Sequence, residues 1–404
     1  MLTVLTPEEA LRTIAASFSP CLAPERVPLA EACGRILARD LVSDQTVPGF
    51  DRATVDGYAV RAADTFGCSD ALPAILRRQG EIVMGEGAET PLGPGCCMAI
   101  PTGGALPPGA DAAVMLEYAE DYGDGTVGVC RPVAPGENLI FRGDDVRCGQ
   151  TVLPAGRRLT PQDIGALAAL GVTAPEVRRK ARVGILSTGD ELVPVESEPG
   201  PGQVRDVNSA MLRALTESAG ARAECFGILR DDDALLRETL CNALETCDVV
   251  LISGGSSVGR KDATCRVIES LGELLFHGIA MKPGKPTILG RVGGRAVFGL
   301  PGHLAAACIA AQCFVLPLLD RLAGRDPALF PIPALLTDPV SANHGRAQYM
   351  AVRLEQRGEN VFARPVRSKS GLITALAGAD GYFCIPRDCE GVPAGARIDV
   401  FLYD

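Results

Sequence analysis

Two segments of this 404-residue chain carry residue types and spacings suited to holding an anion. In Met281-Lys282-Pro283-Gly284-Lys285-Pro286, two lysines bracket a stiff Pro-Gly turn. The prolines reduce the entropy lost when the loop orders, so the ammonium groups reach an anion at little further cost. Ser253-Gly254-Gly255-Ser256-Ser257-Val258-Gly259 follows a short apolar run. Its glycines let backbone N–H groups approach an oxyanion, and a helix start beyond it adds partial positive charge. Taken singly, the glycine loop suits a tight strand-to-helix turn equally well, and the lysines suit a solvated turn. Their presence in one domain favours binding.

Carboxylates also fall in loops where a core has no use for them: Asp56, Asp145, Glu191, Asp231 and Asp262. Grouped around a phosphate they would repel it unless a hard, oxygen-seeking cation such as Mg²⁺ lay between them. Each alone reads as a cap or surface residue, and Asp231 in Asp231-Asp232-Asp233 could cap the helix that follows. The loop 253–259 is neither a GxGxxG nor a Walker loop, so a dinucleotide or ATPase reading of it has no motif behind it. His277, His303 and His344 are not spaced as a zinc triad.

The elements that must position these residues follow from periodicity. Thr6-Pro7 with Glu9 starts a helix, and Leu11, Ile14 and Phe18 recur at helical spacing. A second helix is expected over 29–41. From 43 to 145, short apolar pieces between Gly/Pro clusters predict a β-rich insertion, and Thr160 to Leu170 resumes helix. Strands at 182–186, 248–252 and 296–300 alternate with helices at 207–219 (capped by Asn208 or Ser209), 262–271 and 304–322, the pattern of a mostly parallel sheet covered on both faces. In such sheets ligands bind beyond the carboxyl ends of the strands, where the candidate loops fall. After Asp326 a period of two (Met350, Val352, Leu354; Ile398, Val400, Leu402) predicts a small barrel.

The net charge of −10 excludes a broad electrostatic grip on nucleic acid or anionic lipid. The N-terminus lacks a basic, apolar signal segment and no run of about 18 apolar residues stands out, so a cytoplasmic protein with no membrane partner is expected. The 15 cysteines include no CxxC pair and read as buried thiols of a reducing compartment rather than a metal cluster.

Taken in order, several motifs resemble one family. They are Phe50-Asp51-Arg52-Ala53-Thr54-Val55-Asp56-Gly57-Tyr58-Ala59, Pro101-Thr102-Gly103-Gly104, Arg142-Gly143-Asp144-Asp145, Ser187-Thr188-Gly189-Asp190-Glu191, the loop 253–259 with Asp262, Lys282 to Pro286, and Leu300-Pro301-Gly302. Over essentially its whole length the chain resembles the molybdopterin molybdenumtransferases, the bacterial MoeA proteins and the E domain of gephyrin. The resemblance implies an α/β multidomain fold: an elongated helical part (1–42 and 146–179) with an inserted β-rich domain (43–145), a MogA-like three-layer α/β domain with a mostly parallel sheet (180–326), and a C-terminal β-barrel (327–404).

It also implies an activity: molybdate and adenylylated molybdopterin are substrates, Mg²⁺ assists, and AMP is released. By position, Asp56, Thr102, Asp145, Asp231, Asp262 and Lys282 match catalytic positions. Thr188, Gly189, Glu191, Ser253, Gly254, Gly255, Ser257, Gly259, Lys285, Pro301, Gly302 and Ser370 match binding positions, with Glu191 and Asp262 assigned to the metal. A homodimer is implied, with each active site shared between subunits, and with the pterin adenylyltransferase and acceptor molybdoenzymes as further partners. The chain departs from the family pattern at Gly278 and Ala351, where basic residues are usual, and at Val55 and His303. Tungstate as substrate and a non-catalytic, dimeric pterin-binding scaffold therefore stay open as alternatives. A pterin adenylyltransferase fits the α/β domain alone and leaves the large flanking domains without a role.

Overall fold

The computed structural model describes residues 4–254, 261–326, 330–367 and 376–403, with the side chains of 261 and 262 left undescribed. Two compact units divide the chain: residues 40–154 with 165–173, and the remainder.

In the larger unit, Pro7–Ser17 begins with the expected capping box: Thr6 N–H donates to the Glu9 carboxylate, and Glu9 N–H donates to Thr6 Oγ1. The helix expected over 29–41 does not form. Only Leu29–Glu31 makes a 3₁₀ turn. Gly34 then adopts φ +78, and the N–H groups of Gly34, Leu37 and Ala38 donate to Leu159, Arg157 and Glu176 instead of to the preceding turn. The apolar spacing there serves extended chain pairing with distant segments.

The α/β domain is built on a six-stranded sheet in the order Arg222–Leu229, Arg182–Thr188, Val249–Gly254, Arg295–Leu300, Ile288–Val292, Glu273–His277. The first four strands are parallel, Ile288–Val292 runs antiparallel to them, and Glu273–His277 pairs antiparallel with Ile288–Val292. Alternate residues face opposite layers. Val183, Ile185, Leu251 and Phe298 pack with Leu212 and Leu215 of helix Val207–Ser218 and with Ala307, Phe314 and Leu318. Leu186, Val250, Ile252 and Val297 pack with Leu236 and Leu240 of helix Asp233–Thr246 and with Ile268 of helix Lys261–Leu271.

The helical segment expected over Leu304–Leu322 is long and apolar enough, by length and composition, to cross a membrane. Half of it is buried, and its apolar side chains belong to the core against the sheet. A π turn spans Ala311–Val315. Pro317, with no N–H to return to the preceding turn, accounts for this local rearrangement.

The C-terminal strands Ala347–Arg357, Asn360–Pro365, Ile332–Leu336, Arg397–Leu402 and Gly381–Ile385 close into a five-stranded barrel, the last pairing back onto the first. The short strand Met281–Lys282 adds to it, with Met281 opposite Ala347 and Lys282 opposite Gln348.

The other unit carries a six-stranded sheet in the order Ala112–Met115, Gly57–Val60, Cys96–Ile100, Ala74–Glu81, Thr126–Val129, Ala119–Asp121. Its core includes Tyr58, Val60, Val114 and Cys97, whose thiol burial pushes its pKa up to about 12. The expectation of buried thiols needs correction for Cys21, Cys33, Cys148, Cys225 and Cys241, which are exposed. Cys225, for instance, lies on a strand at the sheet's edge, which has a neighbour on one side only.

Candidate functional site

The parallel strands end together. Thr188 lies opposite Gly254, and Ser253 opposite Leu300. Gly254 has φ +142, and a Cβ there would sit 2.1 Å from the Thr188 carbonyl oxygen. Only glycine lets the strand end pass so close. A Cβ on Gly302 would lie 3.9 Å from the Gly254 backbone at the same point.

Asn208 ties these ends together. Its Nδ2 donates to Ser253 Oγ and to the Gly302 carbonyl, both at 2.8 Å. Sequence periodicity suggested Asn208 or Ser209 as the helix cap, but the cap is Asp206, whose carboxylate accepts from Ser209 N–H. Asn208 is the second residue of the helix and is buried. Its Oδ1 and the hydroxyl of Ser187 are buried with no hydrogen-bond partner among the described residues. An unsatisfied buried acceptor costs ~1–3 kcal/mol, and a ligand donor at the strand ends would relieve it. Asn208 was missed as a site residue because one amide in an amphipathic helix carries no signal.

On one side of these ends opens a cavity of about 570 Å³ lined by Lys282, Lys285, His303 and Arg346, with Pro301 and Gly302 at its edge. No carboxylate among the described residues lines it. Lys282 to Pro286 is held rigidly: Thr287 Oγ1 donates to the Gly284 carbonyl at 2.7 Å, and Ile279 N–H donates to the Lys285 carbonyl. Ala351 lines the same cavity. The cation usual at that position is therefore absent, while Arg346 supplies one close by. In the sequence both Arg346 and Arg353 lie near Ala351, and of the two it is Arg346 that lines the cavity.

Gly278 has φ +103, and its N–H donates to the Thr287 carbonyl while its carbonyl accepts from Leu5. A lysine there would have to adopt a left-handed backbone.

On the other side lies a cleft of about 1080 Å³ lined by Gly189, Asp190, Asp206, Asp231 and Asp232, with Arg230 as its one basic side chain among the described residues. Asp232, not Asp231, caps the helix that follows, accepting from Ala234 and Leu235 N–H. Asp231 N–H donates to Asp190 Oδ1 at 3.3 Å. The Glu191 carboxylate lies over Gly189, 2.7 Å from where a Cβ would stand. Lys282 and Lys285 thus share one cavity with Pro301 and Gly302, while Gly189 and Asp231 line the other. Among the described residues, no group of three His, Cys, Asp or Glu side chains is arranged to hold a metal. Gly255, Ser257, Gly259 and Ser370 lie outside the described residues, as does the Asp262 side chain.

In the second unit, Thr102 N–H donates to Asp56 Oδ1 at 2.8 Å, bringing that expected pair together. Asp56 also anchors Leu116 through its carbonyl. The neighbouring loop is fixed by Asp51, whose carboxylate accepts from Arg142 N–H at 2.7 Å. Asp145 lies in the turn that follows, its N–H donating to the Val47 carbonyl. All three expected residues, Asp56, Thr102 and Asp145, are exposed.

A three-layer α/β domain with a cationic pocket and an acidic cleft flanking its strand ends, joined to a small barrel, is an arrangement suited to binding an anion. Comparison with known proteins identifies the family. Residues 5–171 match the family described as MoeA N-terminal region (domain I and II), 184–321 the probable molybdopterin binding domain, and 333–403 the MoeA C-terminal region (domain IV). The molybdopterin molybdenumtransferase of Bacillus subtilis is 32% identical, covering 99% of this chain and 94% of its own. That of Haemophilus influenzae is 35% identical over 93% of each. The crystal structure of the molybdopterin biosynthesis MoeA protein from Pyrococcus horikoshii OT3 superposes with a TM-score of 0.89 at 34% identity, covering 99% of this chain and 100% of that one. The chain belongs to the molybdopterin molybdenumtransferase family.

Proposed function

We propose that this chain transfers molybdenum from molybdate to adenylylated molybdopterin, releasing AMP, in the assembly of the molybdenum cofactor. The observation that carries the reading is the cavity where Lys282, Lys285, His303 and Arg346 converge with no carboxylate among the described residues. A tetrahedral oxyanion of charge −2 is matched by such a set, because charge-assisted hydrogen bonds are about twice as strong as neutral ones. Arg346, lining the pocket beside Ala351, favours an active transferase over a scaffold.

Lys282, Lys285 and Arg346 bind the oxyanion. Thr188 and Gly254 face the pterin phosphate at the strand ends, and the unpartnered Asn208 Oδ1 accepts from an N–H of the ligand. Water attacks the adenylyl phosphorus, the bond to the pterin phosphate breaks and AMP departs; the two dithiolene sulfurs then bond to molybdenum as one molybdate oxygen leaves as water with the two thiol protons. Such displacement needs positioning and charge neutralisation more than a covalent nucleophile.

In phosphate chemistry Mg²⁺ usually takes one or two carboxylates together with the substrate's own phosphates and waters as ligands. Glu191 and Asp262 are the proposed holders, with Asp231 beside the acidic cleft. When bound, Mg²⁺ neutralises phosphate charge.

We propose a homodimer in which Asp56, Thr102 and Asp145 of one subunit complete the pocket of the other, with a cytoplasmic location and the fourfold domain division expected from the sequence. The test supplies purified protein with adenylylated molybdopterin, Mg²⁺ and either molybdate or tungstate, and measures AMP and pterin-bound metal. Molybdate-dependent AMP release supports the reading. Release with tungstate alone assigns the other metal, and no oxyanion-dependent release removes the transferase activity.

A further inference from the structure

At the amino ends of the same parallel strands, a second cavity of about 510 Å³ opens in the larger unit. It is lined by Arg35, Arg158, Arg178, Arg179, Lys180 and Arg325. Six cations around one cavity stand out in a chain whose net charge is −10. Three carboxylates pair with members of the set. Asp248 accepts bidentately from Arg179 at 2.7 Å, Asp320 accepts from Arg325 at 2.9 Å and lies 3.8 Å from Arg158, and Glu25 pairs with Arg35. Arg178 and Lys180 have no carboxylate partner among the described residues. The excess is therefore three positive charges.

Two further features make this a pocket rather than a basic surface. Arg158 donates from Nη2 to the Ala219 carbonyl at 2.8 Å, yet its Nε is buried with no hydrogen-bond partner among the described residues. Opposite the cations, Leu316 and Leu319 of the core helix give the cavity an apolar wall. A volume near 500 Å³ falls within the ~300–1,000 Å³ of small-molecule sites. The strand Arg182–Thr188 separates it from the Lys282 cavity by about 20 Å at ~3.3 Å per residue.

We propose that this cavity is a second, separate binding site for a phosphorylated small molecule with a compact apolar body. The phosphate lies against Arg158, Arg178 and Lys180, where guanidinium forks match its oxygens. The body rests on Leu316 and Leu319.

Phenyl phosphate is the probe, titrated calorimetrically into the full-length Lys282→Ala protein so that the transferase pocket is disabled. Lys180 is exposed, so Lys180→Glu leaves the fold intact, which thermal melting verifies. The expected result is saturable binding to Lys282→Ala, weakened at least tenfold by adding Lys180→Glu or by 0.5 M salt, with phenol giving no heat. The inference is overturned if Lys282→Ala binds no phenyl phosphate, or if Lys180→Glu binds it as tightly as its parent.

Discussion

Lys282 and Lys285 stand at the mouth of a cavity that holds no opposing carboxylate among the described residues, so their charge is available to a ligand. Truncating Lys282 removes one charge-assisted hydrogen bond, worth about 1.5–3 kcal/mol. Lys282→Ala should therefore lower kcat/KM for molybdate about 10- to 150-fold, while the melting temperature stays within a degree or two because the side chain is exposed. Steady-state AMP release at varied molybdate reads this directly, and an unchanged KM for molybdate would place the oxyanion elsewhere. Asn208→Ala differs in kind. It breaks the bonds to Ser253 and Gly302, so stability should fall by about 1–2 kcal/mol together with activity. The lysines were legible in the sequence because two cations around Pro-Gly make a local pattern. Arg346 was legible only as one of two cations near Ala351, and Asn208 not at all as a site residue, because their roles arise from where distant segments meet.

At the scale of elements, Gly57 shows why a motif glycine can be structural. A Cβ there would lie 1.9 Å from the Val114 carbonyl oxygen of the neighbouring strand. Gly57→Ala should destabilise the β-rich unit by about 3 kcal/mol, visible in a urea melt, and a neutral result would mean that the strand can shift. Asp248, which begins the central strand and binds Arg179, governs acid behaviour. Burial raises its pKa, but hydrogen bonds from Arg179 and from Arg182 N–H outweigh that and hold it below the ordinary value. Its stabilisation is therefore complete above the unfolded carboxylate range and is lost as pH falls through the lower folded value. Asp248→Asn should lower the melting temperature at pH 7 and flatten its fall between about pH 5 and pH 2. A parallel fall in both proteins would remove Asp248 from the acid response. The alternation of strand and helix that builds this sheet was plain in the sequence, since each element is long and strongly periodic. The stretch 29–41 misled because Gly34 interrupts a helical spacing that in fact serves pairing with residues 157–159 and 176.

For the whole molecule, the exposed Asp56–Thr102 pair gains a purpose if a second copy presents its Lys282 pocket to it. Asp56→Ala and Lys282→Ala should each be nearly inactive alone. Mixed under conditions that exchange subunits, they should recover up to about half of the wild-type activity per active dimer, because one of the two sites in each heterodimer is intact. Failure to recover, with exchange demonstrated by mass, would contradict a shared site. The family, the order of its domains and the positions of its loops were readable along the chain because local motifs carry them. The cationic cavity and the acidic cleft were not, since they depend on which strand ends lie side by side.

Crystals soaked in molybdate and measured at the molybdenum absorption edge would test the oxyanion assignment most directly. The account predicts a single strong anomalous peak within hydrogen-bonding reach of Lys282 and Arg346. A peak in the acidic cleft, or none at millimolar molybdate, would contradict it.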